Sequence, residues 1–181
     1  MARIRPLEYD ETGPEIRPEY DKQISAHGRM TNMKKTLARV PTAFRALMEW
    51  YSLHAEVVPF LGSRTTFVFA HAISAQTDCL ICSTFFRRIL IEGGENPDAL
   101  QLDETERLLV EYGRKLAIKP NDVSDELYAR LAARFTPEQI VALTAFAGLM
   151  IATNVFNNAL RVDLDEYLFP YRKNETTPRE R

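Results

Sequence analysis

A chain of 181 residues, 45% of them hydrophobic, is long enough for one domain with a real core. Its formal net charge of -2 sets up no basic field toward nucleic acid or acidic lipid. Two cysteines are too few for a disulfide-stapled secreted domain or a four-ligand zinc site. The start is charged and Pro-containing, unlike a signal peptide, and no apolar run reads as a membrane span, so a cytoplasmic protein with no cofactor is expected.

Residues 1–18 read as an extended arm, because Pro6, Gly13, Pro14 and Pro18 interrupt any helix. An all-α domain over residues 19–171 follows, and a polar tail over residues 172–181 ends the chain. Glu19 to Ala26 is a short helix ended near Gly28, and Met33 to Val40 is a second helical stretch. Pro41 opens a longer helix with Phe44, Leu47, Met48, Tyr51 and His54 at helical spacing. Pro59, Gly62 and Ser63 mark a turn. Two central helices come next, roughly Arg64 to Ala75 and Cys79 to Glu92, the second stopped by Gly93 and Gly94. Asp103 with Glu106 forms a capping box over a stripe of Leu108, Leu109, Tyr112 and Leu116. Ser124 caps a short helix carrying Leu127, Tyr128 and Leu131. Thr136-Pro137-Glu138-Gln139 starts a long helix running to about Asn158, apolar around much of its surface. No segment alternates like a strand, so seven or eight helices are predicted.

Both cysteines lie in Thr77-Asp78-Cys79-Leu80-Ile81-Cys82, between the central helices. Thr77 or Asp78 as N-cap places Cys79 in the first helical turn, where unpaired N–H groups favour a thiolate. Residues three apart share a helix face, so Cys79 and Cys82 meet. One thiolate attacks and the other resolves the sulfenic acid or mixed disulfide. The same pair also suits two small apolar side chains in a helical core.

An apolar helix, a polar turn and C-x-x-C opening a second helix resemble the alkylhydroperoxidase AhpD-like / carboxymuconolactone decarboxylase family. Ala38-Arg39-Val40-Pro41-Thr42-Ala43-Phe44 is similar to the family's entry segment, and Thr136 to Asn158 to its Asn-rich closing helix. The likeness covers roughly residues 33–167 and is greatest to the peroxidase-related branch. It implies an all-α fold, trimers or hexamers, and hydroperoxide reduction by the C-x-x-C pair. It also implies a proton relay of one Glu and one His, but Phe67 and Phe86 stand at those positions. His71, one helical turn beyond Phe67, is a displaced base or a histidine bound to backbone.

The catalytic set read from the sequence is therefore Cys79, Cys82 and His71. The expected activity is a weak peroxidase or disulfide oxidoreductase of peroxiredoxin type. A hydroperoxide or other small molecule is its substrate, and a dithiol or thioredoxin-like protein its reductant. A decarboxylase or isomerase of a small carboxylated ring compound, or a non-catalytic oligomeric binding protein, fits the same fold. A homo-oligomer is expected, because one small domain cannot cover every apolar helix face.

Overall fold

Nine α-helices and three 3₁₀ turns build the computed structural model, which describes residues 1–173; no strand occurs among them. The helices are α1 (Arg17–His27), α2 (Asn32–Leu37), α3 (Pro41–Met48), α4 (Trp50–Leu61), α5 (Ser63–Gln76), α6 (Leu80–Glu92), α7 (Glu104–Ile118), α8 (Asp125–Ala132) and α9 (Pro137–Leu160). The 3₁₀ turns are Tyr9–Glu11, Pro120–Asp122 and Glu166–Tyr171. The polar tail expected over 172–181 falls outside the described residues beyond position 173.

Where the sequence carries a local cap, the helix starts there. Asp103 Oδ1 accepts the Glu106 N–H at 2.8 Å, and Glu106 Oε2 accepts the Asp103 N–H at 3.0 Å. Thr136 and Gln139 make the same reciprocal pair at 3.3 and 3.0 Å. Ser124 Oγ accepts the Leu127 N–H at 3.2 Å and opens α8. Each such cap satisfies donors that the first turn leaves orphaned.

Several bounds differ from the sequence reading, α2 ending at Leu37 rather than Val40 and α9 reaching Leu160 among them. The helix from Pro41 is two helices, parted at Glu49, which makes nine helices in place of seven or eight. Pro59 lies inside α4, and the break falls at Gly62, whose φ of 77° is open to glycine. Helix α1 starts at Arg17 rather than Glu19.

Helices α5, α6, α7 and α9 enclose the main core, where Phe69, Ile73, Leu143 and Phe146 have no exposed surface. Helix α7 approaches α5 at Gly113, where a Cβ would stand 2.8 Å from Phe69 and 2.9 Å from Ile73. Ile16, Tyr20, Met30, Leu37 and Phe44 form a second core joining α1, α2 and α3. The N-terminal arm is tied to its own chain: the Arg3 N–H donates to the Leu160 carbonyl at 2.9 Å and the Leu7 N–H to that of Lys35 at 3.1 Å.

By length and composition α9 is apolar enough to cross a membrane, a point the sequence reading missed. In this fold its Ile140, Leu143, Phe146, Ala147 and Met150 are buried in the core.

Candidate active site

The turn between α5 and α6 positions both sulfurs. Helix α5 ends in a Schellman arrangement: the Asp78 N–H donates to the Ala75 carbonyl at 3.2 Å and the Cys79 N–H to that of Ser74 at 3.0 Å. Glycine usually takes the left-handed position of this motif, but here Asp78 holds it with φ 53°. The residue after it is already extended, and so Cys79 itself is the N-cap of α6. The expectation that Thr77 or Asp78 would cap α6, with Cys79 inside its first turn, is corrected accordingly. Thr77 is the C-cap of α5, and the left-handed turn at Asp78 moves the start of α6 along by one residue.

Three asparagines on one face of α9 hold this turn. Asn154 Nδ2 donates to Thr77 Oγ1 at 2.9 Å, and Asn158 Nδ2 to the Thr77 carbonyl at 2.8 Å. Between them, Asn157 Nδ2 lies 3.4 Å from Cys82 Sγ and 3.8 Å from Cys79 Sγ. One amide thus donates toward both sulfurs. The sequence reading noted the Asn-rich end of this helix but gave Asn157 no role.

Both cysteines are free thiols and both are buried. Cys79 has no exposed surface, whereas Cys82 is 7% exposed and lines a cavity of about 320 Å³. The two titrate as a pair. The Cys82 thiol, bonded to the Cys79 sulfur, lowers the Cys79 pKa to about 7 against the effect of burial, with help from the α6 amides and Asn157. The same bond, with burial, raises Cys82 far above an ordinary thiol. Of the pair, Cys79 is therefore the more readily ionised, and the sulfur facing the cavity is Cys82.

The walls explain what occupies the implied Glu and His positions. Phe86 is 2% exposed, lines the cavity, and stands 6.2 Å from Phe67 and 6.3 Å from Trp50, ring to ring. His54 stacks on Phe67 at 5.6 Å and lies 5.0 Å from Trp50, so an aromatic layer backs the cavity-lining Trp50 and Phe86. His71 sits elsewhere on α5, in the field of Arg87 and Asp98. Burial first, then Arg87, pull its pKa down to about 4, so the imidazole is neutral. The sulfur contacts come from Asn157, and His71 does not line the cavity.

The other end of the cavity is polar. Lys34 is 5% exposed, and its Nζ donates to Gln23 Oε1 at 2.5 Å and Tyr51 OH at 2.8 Å. Burial lowers the Lys34 pKa to about 8 and raises Tyr51 to about 12. The sequence reading missed both as site residues; a Lys-Lys pair in a short polar helix reads as surface. No cluster of three or more His, Cys, Asp or Glu fit to hold a metal occurs among the described residues.

This architecture is the AhpD-like fold. An AhpD-core, peroxidase-related protein from Ralstonia eutropha JMP134 matches 93% of this chain and 94% of its own, with a TM-score of 0.76 at 20% identity. The apo debrominase Bmp8 matches 93% and 95% with a TM-score of 0.73 at 17% identity. A variant of Bmp8 with one cysteine replaced by alanine, in complex with 2,3,4-tribromopyrrole, matches 93% and 94% with a TM-score of 0.73 at 16% identity. In sequence, the uncharacterized protein YnjA of Escherichia coli K12 is 37% identical over 59 residues. That stretch is 33% of this chain and 32% of YnjA, so the chain matches about a third of that curated relative. No family model matches the sequence.

Proposed function

We propose that the protein is a thiol-dependent reductase of small molecules, in which Cys82 attacks the substrate and Cys79 resolves it. The observation that carries this reading is the division between the two sulfurs: Cys82 opens on a cavity while Cys79, fully buried behind it, holds the lower pKa. As substrate enters, the Cys82 proton passes to Cys79, leaving a thiolate at the cavity. With a hydroperoxide ROOH, Cys82 Sγ bonds the terminal oxygen and the O–O bond breaks. The alkoxide takes the proton from Cys79 and leaves as ROH. The Cys79 thiolate then attacks the Cys82 sulfenic acid, forming the disulfide and releasing hydroxide, which solvent protonates. An external dithiol returns the two electrons.

Cys79 thus does part of what the Glu and His do in the resembling proteins. Because Phe67 and Phe86 replace those groups, turnover is expected to be lower by roughly 10²–10⁴-fold than with a full relay. Two free thiols fit a reducing compartment such as the cytoplasm. The test is hydroperoxide consumption with excess dithiol. Slow turnover lost in Cys82→Ser supports the reading; turnover unaffected by Cys82→Ser rejects it. His71→Ala is expected to leave the rate unchanged.

One observation favours a second substrate for the same thiols: the aromatic cavity wall, in a fold shared with a protein named a debrominase. In that reading Cys82 takes bromine from a ring carbon, the carbon takes the Cys79 proton, and Cys79 expels bromide as the disulfide forms. Bromide release from a bromophenol by the reduced protein, absent in Cys82→Ser, is its signature.

A further inference from the structure

The cavity also holds a buried cation that is in ion-pair contact with no acid among the described residues, its nearest counter-charge being Asp165. Lys34 is buried, yet no ion pair of Lys34 occurs among the described residues. Its two hydrogen bonds go to neutral oxygens, on Gln23 and Tyr51. An ammonium has three N–H donors, so one is left over. Tyr51 OH accepts from Lys34, which keeps its own O–H available as a second donor. The one acid lining the cavity among the described residues, Asp165, spends Oδ1 on the Asn32 N–H at 2.9 Å. Against it stand Lys34 and Arg29, with Arg88 paired to Glu92 at 2.8 Å; Arg29 and Arg88 lie over the Tyr167 ring at 4.0 and 5.6 Å. Two neutral hydrogen bonds and the Tyr51 ring at 5.0 Å offset only part of the cost of burying this charge, which a contacting anion would lower further.

We propose that such an anion is the ligand: the cavity takes a single-ring aromatic anion, its ionised oxygen on Lys34 Nζ and Tyr51 OH, its ring against Trp50 and Phe86, and its far edge toward Cys82. Size agrees. Pockets for drug-sized ligands run from roughly 300 to 1,000 Å³, and this one, at about 320 Å³, suits one substituted ring. The chemistry fixes the anion, as a phenolate or an aromatic carboxylate, and the apolar wall disfavours an aliphatic polyanion. The assignment names the substrate class for the thiol reading above, and its binding step stands apart from any turnover.

Trp50, the one tryptophan of the chain, lines the cavity and reports on binding. The protein is titrated with benzoate and with pentafluorophenolate, each against a neutral isostere, benzamide and pentafluoroaniline. The expected result is saturable quenching by at least one anion, with its neutral isostere weaker by tenfold or more. Which anion binds tells carboxylate from phenolate. Lys34→Met is expected to lose tenfold or more for the anion only, with Tyr51→Phe as a second variant should Lys34→Met fail to fold. Equal affinity for anion and isostere, undiminished anion binding in Lys34→Met, or no binding of any probe overturns the proposal. Binding intact with no thiol turnover leaves it standing and rejects the reductase reading instead.

Discussion

After Cys82 itself, Asn157 helps lower the Cys79 pKa, and its amide is the side chain that donates toward both sulfurs. A hydrogen bond to a charged group contributes about 1.5–3 kcal/mol, and one pKa unit corresponds to about 1.4 kcal/mol. Cys79 has its pKa lowered, so thiolate is present above about 7 and lost as pH falls through that value. Removing a donor to the thiolate moves the inflection up. The pH profile of alkylation by iodoacetamide is therefore expected to shift upward by about one unit in Asn157→Ala. Asn157→Asp, which adds a like charge, shifts it further; superimposed profiles would deny Asn157 this role. Lys34 gives a second prediction with the sign worked out. Its folded pKa is about 8, against an ordinary 10.5, so between those values the unfolded chain binds more protons and stability rises with pH. Tyr51 stays neutral up to about 12, His27 is kept neutral by burial and the nearby Lys34, and Asp165 faces Lys34 as an acid. Lys34→Met is expected to raise Tm at pH 7 and to remove the stability slope between pH 8 and 10. A parent-like slope in the variant would contradict this. Neither residue was legible as part of the site. The sulfur contacts of Asn157 span 75 and 78 positions of sequence, and burial of Lys34 arises only when α1 and α4 close over α2.

At the scale of elements, the legible features were those with local causes. The caps at Asp103, Ser124 and Thr136 each need only three consecutive positions beyond the cap, and all three formed as read. The start of α6 was not legible in the same way, because it depends on how α5 ends. A Schellman stop with Asp rather than Gly in the left-handed position carries no strong sequence mark, and it moved the cap onto Cys79. The split at Glu49 was hidden too, since the apolar spacing from Phe44 to His54 continues through it. Gly113 is the element-scale test. Its missing Cβ lets α7 rest on Phe69 and Ile73, both fully buried and without room to give. Gly113→Ala is expected to destabilise by about 1–3 kcal/mol through overpacking, despite alanine's higher helix propensity, and Gly113→Val by more. A chemical denaturation midpoint unchanged or raised in Gly113→Ala would show that α5 and α7 are not so tightly apposed.

For the whole molecule, the outer face of α9 is the largest question. Val141 and Val155 are 68% and 60% exposed, and Ala145, Gly148 and Ala152 lie exposed between them. An apolar, small-residue helix face of this kind is what closed symmetric assemblies cover. Sedimentation at micromolar concentration is expected to give an oligomer, shifted toward monomer by Val141→Glu or Val155→Glu; a monomer in the parent protein would reject self-association. The arm is bonded to its own chain at Arg3 and Leu7, so deleting it is expected to weaken the second core first. Fold and chemistry meet in the cysteine pair, and one measurement reads it most directly. The fully reduced protein is treated with one equivalent of hydroperoxide and its intact mass is recorded. The account predicts the loss of two hydrogens, located by peptide mapping to a Cys79–Cys82 disulfide, with Cys79→Ser arrested as a sulfenic acid on Cys82. Two thiols that stay alkylatable after peroxide, or a sulfenic acid that forms on Cys79 in Cys82→Ser as readily as on Cys82, would contradict it.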